Sequence, residues 1–199
     1  LLFFDRVPPD FPVRSVVIDD YRAAFSMVQH LAGQGFRKIG HIGGSSHINV
    51  YSERRRGCLE GIRAANLEVD ERWIVTGEMT REGGEQAFRA MMNLESVPDA
   101  VVCAGDLTAL GVLETARSKG IPVPDKLAVT GFANEDFTRY LDPPLTTVDQ
   151  RGLTMGQTVA TQFLGEITGE SVPGTPEKVV LEPHLIIRES STRHLLNKS

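Results

Sequence analysis

The chain has 199 residues, of which 41% are hydrophobic and 24% are charged, as in a globular protein that buries one large core or two smaller ones. Its 26 acidic and 21 basic residues leave a net charge of −5, which excludes a surface of general attraction for nucleic acids or other polyanions. No apolar run approaches the roughly 20 residues that span a membrane, so we expect no membrane partner.

Apolar runs and segments with helical spacing alternate along the chain. Residues 1–4 form an apolar run without the basic lead of a signal peptide, and a strand this close to the first residue predicts that an upstream part of the protein lies outside the chain. A turn is predicted at Pro8-Pro9. The elements predicted next are a strand at 13–18, a helix with Ala23, Ala24, Met27, Val28 and Leu31 inward, a strand at 39–42, a helix at 51–65, a strand or irregular segment at 69–75, a helix at 82–94, a strand at 100–104, a helix from Asp106 and a strand at 127–132. This alternation predicts a parallel sheet with right-handed crossovers.

The pattern changes after a break at Pro143-Pro144. The elements predicted there are an extended segment at 145–148, a helix at 154–167 with Met155, Val159, Phe163 and Leu164 on one face, a loop rich in Gly and Pro at 169–176, the extended runs VVLEP and HLIIRES, and a loose tail at 194–199.

The stretch from Pro98 to Gly120, PDAVVCAGDLTALGVLETARSKG, places Asp106 where a buried strand meets a helix. Ligands of open α/β sheets bind at this end of the strands. Asp106 is therefore either a helix cap or a ligand-contacting group, and its position alone favours the cap.

Two further motifs carry polar side chains. The turn IGHIGGSSH has neither the Walker nor the GxGxxG spacing, although Ser45, Ser46 and His47 follow a strand and could bind a polar ligand. Arg54, Arg55 and Arg56 are consecutive on a helix and point three ways. A solvated face is the expectation for Arg55 and Arg56, while one arginine facing a cleft would suit a carboxylate, a phosphate or vicinal hydroxyls.

No catalytic or metal-binding pattern stands out. Cys58 falls in a predicted helix and Cys103 in a predicted buried strand. This placement indicates small apolar residues in a reducing compartment rather than a disulfide or a metal site. The five histidines lack metal spacing, and no nucleophile–base order is visible. We therefore expect no enzyme, no metal and no cofactor.

Several motifs in one order resemble the LacI/GalR family of bacterial transcriptional repressors. They are FFDR at residues 3–6, VVIDD with HLAGQGFRKIGHIGG, Arg54-x-x-Gly57, PDAVVCAGDLTALG, GIPVPDKLAVTGF, DPPLTTVDQ and LIIRESSTR. The resemblance implies an α/β, periplasmic-binding-protein-like core of two parallel-sheet subdomains joined by three crossovers. It implies a partial N-terminal subdomain at 1–37 plus 149–182, incomplete in this chain, and a C-terminal subdomain at 38–148 plus 183–193.

The resemblance also implies a ligand site. Asp106 matches the family's cleft aspartate, Arg54 the arginine that points into the cleft, and Met79 a position often held by an aromatic that stacks on the ligand. Gly105 and Ala133 depart from the family pattern, which has Asn and Asp at these positions. The implied ligand is a sugar or sugar derivative, with a purine or another metabolite as alternatives.

The role implied is the effector-sensing and dimerisation core of a cytoplasmic transcriptional regulator. Its homodimer would bind operator DNA through an N-terminal helix-turn-helix that this chain does not contain. The alternative is a periplasmic sugar-binding protein of a transport or chemosensing system, which shares the fold. An enzyme acting on sugar phosphates would need a catalytic pair that is not found.

Overall fold

The computed structural model describes residues 1–8, 13–169 and 178–193. Pro9 of the predicted turn, most of the predicted loop 169–176 and the tail 194–199 lie outside the described residues. The strands are β1 (Leu2–Phe4), β2 (Arg14–Ile18), β3 (Ile39–Gly43), β4 (Ile74–Thr76), β5 (Ala100–Cys103), β6 (Ala128–Thr130), β7 (Thr147–Asp149), β8 (Lys178–Leu181) and β9 (His184–Ile186). The helices are α1 (Asp20–Gly33), α2 (Asn49–Ala64), α3 (Arg81–Met92), α4 (Asp106–Ser118) and α5 (Gly152–Thr168).

The strands form two parallel sheets, as the alternation predicts. The first has the order β1-β2-β8 and the second the order β4-β3-β5-β6. A parallel bridge between Thr130 and Thr146 continues the second sheet towards β7, and β7 pairs antiparallel with β9. The predicted extended segment at 145–148 thus becomes a strand at the edge of the second sheet.

Helices cover both faces of the second sheet. Buried side chains of α1 and α2, among them Met27 and Cys58, pack on one face. Those of α3 and α4, together with Cys103 of β5, form the core on the other face. Both cysteines are buried and unpaired, as the sequence predicts.

Helix α5 packs on the first sheet through Met155 and Val159. Phe163 and Leu164, which the helical spacing places on the same face, are 54% and 58% exposed. A 17-residue helix is about 25 Å long, whereas the three strands beneath it have three to five residues each. The second half of α5 is therefore covered less well than the first, although Glu166 near its end still pairs with Arg14 of β2 at 3.2 Å.

The boundaries between the two subdomains that the resemblance implies remain a proposal. The packing of α1 is relevant to the first of them. The predicted boundary at residue 37 assigns α1 to the first subdomain, yet its buried face belongs to the core of the second sheet. A first crossover between Ile18 and Asp20 fits this packing better. In the part of the chain that the structure describes, no helix is long and apolar enough to cross a membrane.

Candidate functional site

A cavity of about 230 Å³ lies between the two sheets, where several strands end. Its wall is built from the residues that follow the carboxyl ends of strands of both sheets and from one face of α2. They are Asp5 and Arg6 after β1, Val50, Tyr51 and Arg54 of α2, Met79 after β4, residues 104–107 after β5, Phe132, Ala133 and Glu135 after β6, and Gln150 after β7. This is the edge at which open α/β sheets bind ligands.

Arg54 is the basic group fixed most firmly in the cavity wall. The residue is 4% exposed, and its Nε–H donates to Oδ1 of Asp20 at 2.7 Å. Its Nη1 donates to the carbonyl of Ala104 at 2.8 Å, and the guanidinium lies 4.2 Å from the ring centroid of Phe132. Arg54 is therefore held on three sides before any ligand arrives.

The two neighbouring arginines behave differently from Arg54. Arg55 lies 3.6 Å from Glu71 and remains exposed. Arg56 is also exposed, pairs with Glu53 and lies over the ring of Tyr21. The expectation of a solvated face for Arg55 and Arg56 is confirmed, and of the three arginines it is Arg54 that lines the cavity.

Asp106 lines the cavity but does not cap its helix. Gly105 is the N-cap of α4 and no side chain caps that end, so the interpretation of Asp106 as a cap is wrong. Its Oδ1 accepts from the hydroxyl of Thr147 at 2.7 Å, and its Oδ2 accepts from the backbone N–H of Glu135 at 2.9 Å. The carboxylate therefore accepts its hydrogen bonds from two donors outside α4 and none from the amides of its own first turn.

The loop after β6 has strained backbone where it meets the cavity. Ala133 has φ of 126° and Asn134 has φ of 54°, a region that residues with a side chain rarely adopt. Three hydrogen bonds that involve side chains hold the loop: Asp106 with Glu135, Thr147 with the N–H of Asn134, and Arg188 with the side chain of Asn134. The N–H of Ala133 also donates to the carbonyl of Val148. Such strain persists where the surroundings over-determine it, and it concentrates at ligand sites.

Met79 and Tyr51 form an apolar part of the wall with Ala104. The hydroxyl of Tyr51 accepts from Nη2 of Arg6 at 3.1 Å, and Arg6 also lies over the tyrosine ring. The loop after β1 therefore touches α2 directly across the cavity.

The structure brings together three of the six predicted site residues. Arg54, Asp106 and Met79 all line the cavity. Ser45, Ser46 and His47 lie on an exposed turn after β3, and they are not part of this wall. Their role in binding stays a prediction.

Sequence reasoning missed several residues of the wall and its support. Arg6, Tyr51, Glu135 and Gln150 line the cavity, and Asp20 supports Arg54 from behind. Arg6 follows a predicted strand, a signal that could have found it. Asp20 also follows a predicted strand, but local spacing could not show its contact with Arg54, which is 34 residues away on another helix.

Burial raises the pKa of two carboxyl groups at the site, those of Asp20 and Asp106. It raises the pKa of Asp20 to about 6 despite the opposing effect of Arg54. It also raises the pKa of Asp106, while the hydrogen bonds from Thr147 and Glu135 oppose the rise. Each group is therefore easier to protonate than an exposed aspartate.

Nothing in the described ranges resembles a metal site. Residues 1–8, 13–169 and 178–193 contain no group of three His, Cys, Asp or Glu side chains placed to hold an ion. His41 is buried in β3 with Nδ1 against the carbonyl of Val102, and burial lowers its pKa to about 4. This histidine is thus a neutral core residue.

Comparison with known proteins agrees with this architecture. A family model described as a periplasmic binding protein-like domain matches residues 28–191. The HTH-type transcriptional repressor CytR of Escherichia coli K12 is 35% identical over 195 residues, which are 98% of this chain and 56% of CytR. The HTH-type transcriptional regulator CelR of Thermobifida fusca is 34% identical over 182 residues, 92% of this chain and 53% of CelR.

Solved structures give the same result. A transcriptional regulator CelR–cellobiose complex has a TM-score of 0.87 at 33% identity, covering 95% of this chain and 58% of that one. A LacI-family regulatory protein from Chloroflexus aggregans has a TM-score of 0.88 at 29% identity, covering 97% of this chain and 69% of its own. The chain spans about half the length of the curated relatives it matches. It belongs to the periplasmic-binding-protein-like domain family, and its relatives are transcriptional regulators of the LacI family.

Proposed function

We propose that this chain is the effector-sensing core of a LacI-type transcriptional regulator and that its cavity binds a small sugar-like metabolite. The observation that carries the proposal is that a fixed guanidinium, Arg54, and a buried carboxylate, Asp106, line the same cavity at the strand ends. Together they offer a donor and an acceptor, which a polyhydroxylated molecule can satisfy at once. The cellobiose complex of CelR supports a sugar as the ligand class.

The charges around the cavity favour a neutral ligand over an anionic one. The basic groups are Arg6 and Arg54, and the acidic groups are Asp5, Asp106 and Glu135 in the wall with Asp20 behind Arg54. A phosphate or a carboxylate would meet more negative than positive charge in a partly closed space. We therefore expect a neutral sugar rather than a sugar phosphate.

The proposed mechanism is a shift between open and closed forms of the cleft. A ligand that contacts both sheets stabilises the closed form, in proportion to its preference for that form. A preference of tenfold supplies only about 1.4 kcal/mol, so strong polar contacts made in one form alone are needed. Arg6 and Gln150 on one side and Arg54 and Asp106 on the other fit this requirement.

We further propose that the whole protein acts as a cytoplasmic homodimer that binds operator DNA. The relatives are named as HTH-type regulators, and the net charge of −5 favours DNA contacts made by a helix-turn-helix outside this chain. The same names favour a regulator over a transport protein and over an enzyme. The alternative of a periplasmic sugar-binding protein therefore ranks second.

A thermal-shift panel tests the proposal. The full-length protein is heated with cellobiose, glucose, other neutral sugars, the matching sugar phosphates and purines. A ligand at about 100 times its Kd adds about 2.7 kcal/mol to the free energy of unfolding, so at least one neutral sugar should raise the Tm. Stabilisation by sugar phosphates or purines alone would contradict the proposed ligand class.

A further inference from the structure

Asp20 lies behind Arg54 and outside the wall of the cavity. It is the first residue of α1, and its Oδ1 accepts the Nε–H of Arg54 at 2.7 Å. The two side chains are 6% and 5% exposed. A buried ion pair of this kind contributes little net stability, because removing both charges from water offsets the attraction between them. Its presence at a ligand site therefore invites a functional explanation.

The other contacts of Arg54 leave one side of the guanidinium available. Nη1 donates to the carbonyl of Ala104, and the plane of the group lies on Phe132. Among the described residues the structure records hydrogen bonds from Nε and Nη1 of Arg54, and Nη2 is the amino group left for a molecule in the cavity. Arginine side chains carry about 2 kcal/mol of rotamer entropy, so fixing the group in advance lowers the cost of binding.

Asp20 also belongs to the segment that joins the two sheets. β2 of the first sheet ends at Ile18, and α1 packs on the second sheet. The N–H of Asp19 donates to the carbonyl of Leu181, the last residue of β8, and its carboxylate caps α1 through the N–H of Arg22. The anchor of Arg54 is thus the crossover itself rather than a distant part of the core.

We propose that Asp20 is a positioning residue, which holds Arg54 ready for a hydroxyl or carbonyl oxygen of the ligand and joins that contact to the crossover between the sheets. The expected effect of Asp20 on ligand binding rests on the proposed function. The pairing between Asp20 and Arg54 is independent of that function and is tested without any ligand.

The charge of the pair changes within an accessible pH range. Three charged groups face Asp20: Arg54 from α2, Asp5 from the loop after β1, and Asp19 from its own turn. Burial raises its pKa to about 6, and Arg54 opposes the rise while the two aspartates add to it. Below this pH the carboxyl is neutral, and Arg54 loses the charge that holds it.

The first arm of the test uses side-chain ¹⁵N–¹H NMR of the full-length protein without ligand. The Nε–H signal of Arg54 is assigned by its loss in Arg54→Lys. We expect its proton to exchange slowly with solvent, and we expect its chemical shift to change with pH around a midpoint of about 6. Exchange as fast as that of exposed arginines would overturn the proposal.

Matched variants distinguish the effect of the Asp20 carboxylate from that of Asp19. Asp20→Ala would leave a buried charge without a partner and could prevent folding, so Asp20→Asn is the main variant. It keeps an acceptor for Nε–H and should remove the pH-dependent shift. Asp19→Asn removes the same charge one residue away, keeps a capping side chain and should retain the shift. A shift that persists in Asp20→Asn would count against the pairing.

The second arm measures cellobiose binding by calorimetry. We expect Asp20→Asn to weaken binding about tenfold, or 1.4 kcal/mol, and Asp19→Asn to leave it unchanged. In an Arg54→Lys background Asp20→Asn should have no further effect, because Asp20 acts through Arg54. An equal loss in both backgrounds would show a merely structural role. If the wild type binds neither cellobiose nor another neutral sugar, the proposed ligand fails, while the NMR arm still decides the pairing.

Discussion

The carboxylate of Asp106 connects three segments that are distant in the sequence. It accepts hydrogen bonds from Thr147 of β7 and from Glu135 of the strained loop, and it sits at the start of α4. Its place after a strand predicted a position at the ligand-binding edge of the sheet but favoured a helix cap, and only the family resemblance implied a role in the cleft. Its partners were not predictable, because 41 and 29 residues separate them from Asp106 and local spacing carries no sign of such contacts.

Asp106→Ala should therefore affect both stability and ligand binding. The buried hydroxyl of Thr147 and the partly buried N–H of Glu135 lose their acceptor, and we expect the free energy of unfolding to fall by about 2 kcal/mol, as measured by urea denaturation. Asp136→Ala is the matched control, since this carboxylate of the same loop is 93% exposed and its removal should change stability by less than about 0.5 kcal/mol. Equal effects of the two variants would contradict the role of Asp106 as a connection.

Asp20 should make stability depend on pH in a recognisable direction. Its pKa is about 6 in the folded protein against a usual 3.8, so the folded state binds the proton more tightly. The stabilisation is full below the lower value and is lost as the pH rises through the higher one. Relative to Asp20→Asn, the wild type should thus become more stable as the pH falls from neutral to about 4.

Denaturation of both proteins across this range measures the difference. Asp70→Asn provides a control of opposite sign, because Arg72 lowers the pKa of Asp70. Relative to that variant, the wild type should keep its stability down to the usual pKa of 3.8 and lose it as the pH falls further, so this control is measured below about pH 4 as well. A difference between wild type and Asp20→Asn that does not change with pH would show that Asp20 has an ordinary pKa.

At the scale of elements, periodicity predicted α1 to α5 and most strands of the described residues. It could not predict that β9 runs antiparallel to β7, or that α1 packs against the second sheet. Both depend on which surfaces meet in three dimensions. The exposed end of α5 is a third example, since the length of a sheet is not visible in the sequence of the helix that covers it.

The contact between α1 and α2 depends on Gly57. A Cβ at this position would collide with the backbone carbonyl oxygen of Tyr21. Gly57→Ala should push the helices apart and lower the free energy of unfolding by about 2 kcal/mol. Sugar binding should weaken as well, because Arg54 lies on the same helix.

Chemical denaturation and calorimetry measure these effects, and Gly156→Ala in α5 is the control. Apart from its chain neighbours and the nearby backbone of α5, no heavy atom of the described residues lies within 4 Å of a Cβ built at Gly156, so this change should raise stability by about 0.5–1 kcal/mol. A stable Gly57→Ala protein with unchanged binding would show that the helices tolerate a wider separation.

At the scale of the whole molecule, the two sheets are connected near the cavity by a small set of polar contacts. Arg6 reaches Tyr51, and the N–H of Val7 donates to the side chain of Asn49 at 3.1 Å. The family resemblance predicted two parallel-sheet bodies with a cleft. These contacts across the cleft involve side chains from α2 that the motifs do not mark.

Tyr51→Phe should loosen this connection. The ring remains, but Arg6 loses its acceptor, and a cost of about 1 kcal/mol corresponds to roughly fivefold faster opening. Hydrogen–deuterium exchange of residues 5–7 measures this opening. Tyr140→Phe is the control, because Tyr140 is 80% exposed and its loss should leave the exchange unchanged. Equal exchange in wild type and Tyr51→Phe would mean that other contacts hold the cleft.

The central claim is that the cavity between the sheets binds a neutral sugar through Arg54 and Asp106. Calorimetric titration of cellobiose, or of the neutral sugar that most raises the Tm in the panel, into wild type, Arg54→Ala and Arg55→Ala tests it most directly. We expect binding to weaken at least about 100-fold in Arg54→Ala, or 2.7 kcal/mol, and to be unchanged in Arg55→Ala, whose side chain is exposed outside the cavity wall. Equal affinity of wild type and Arg54→Ala would contradict the account.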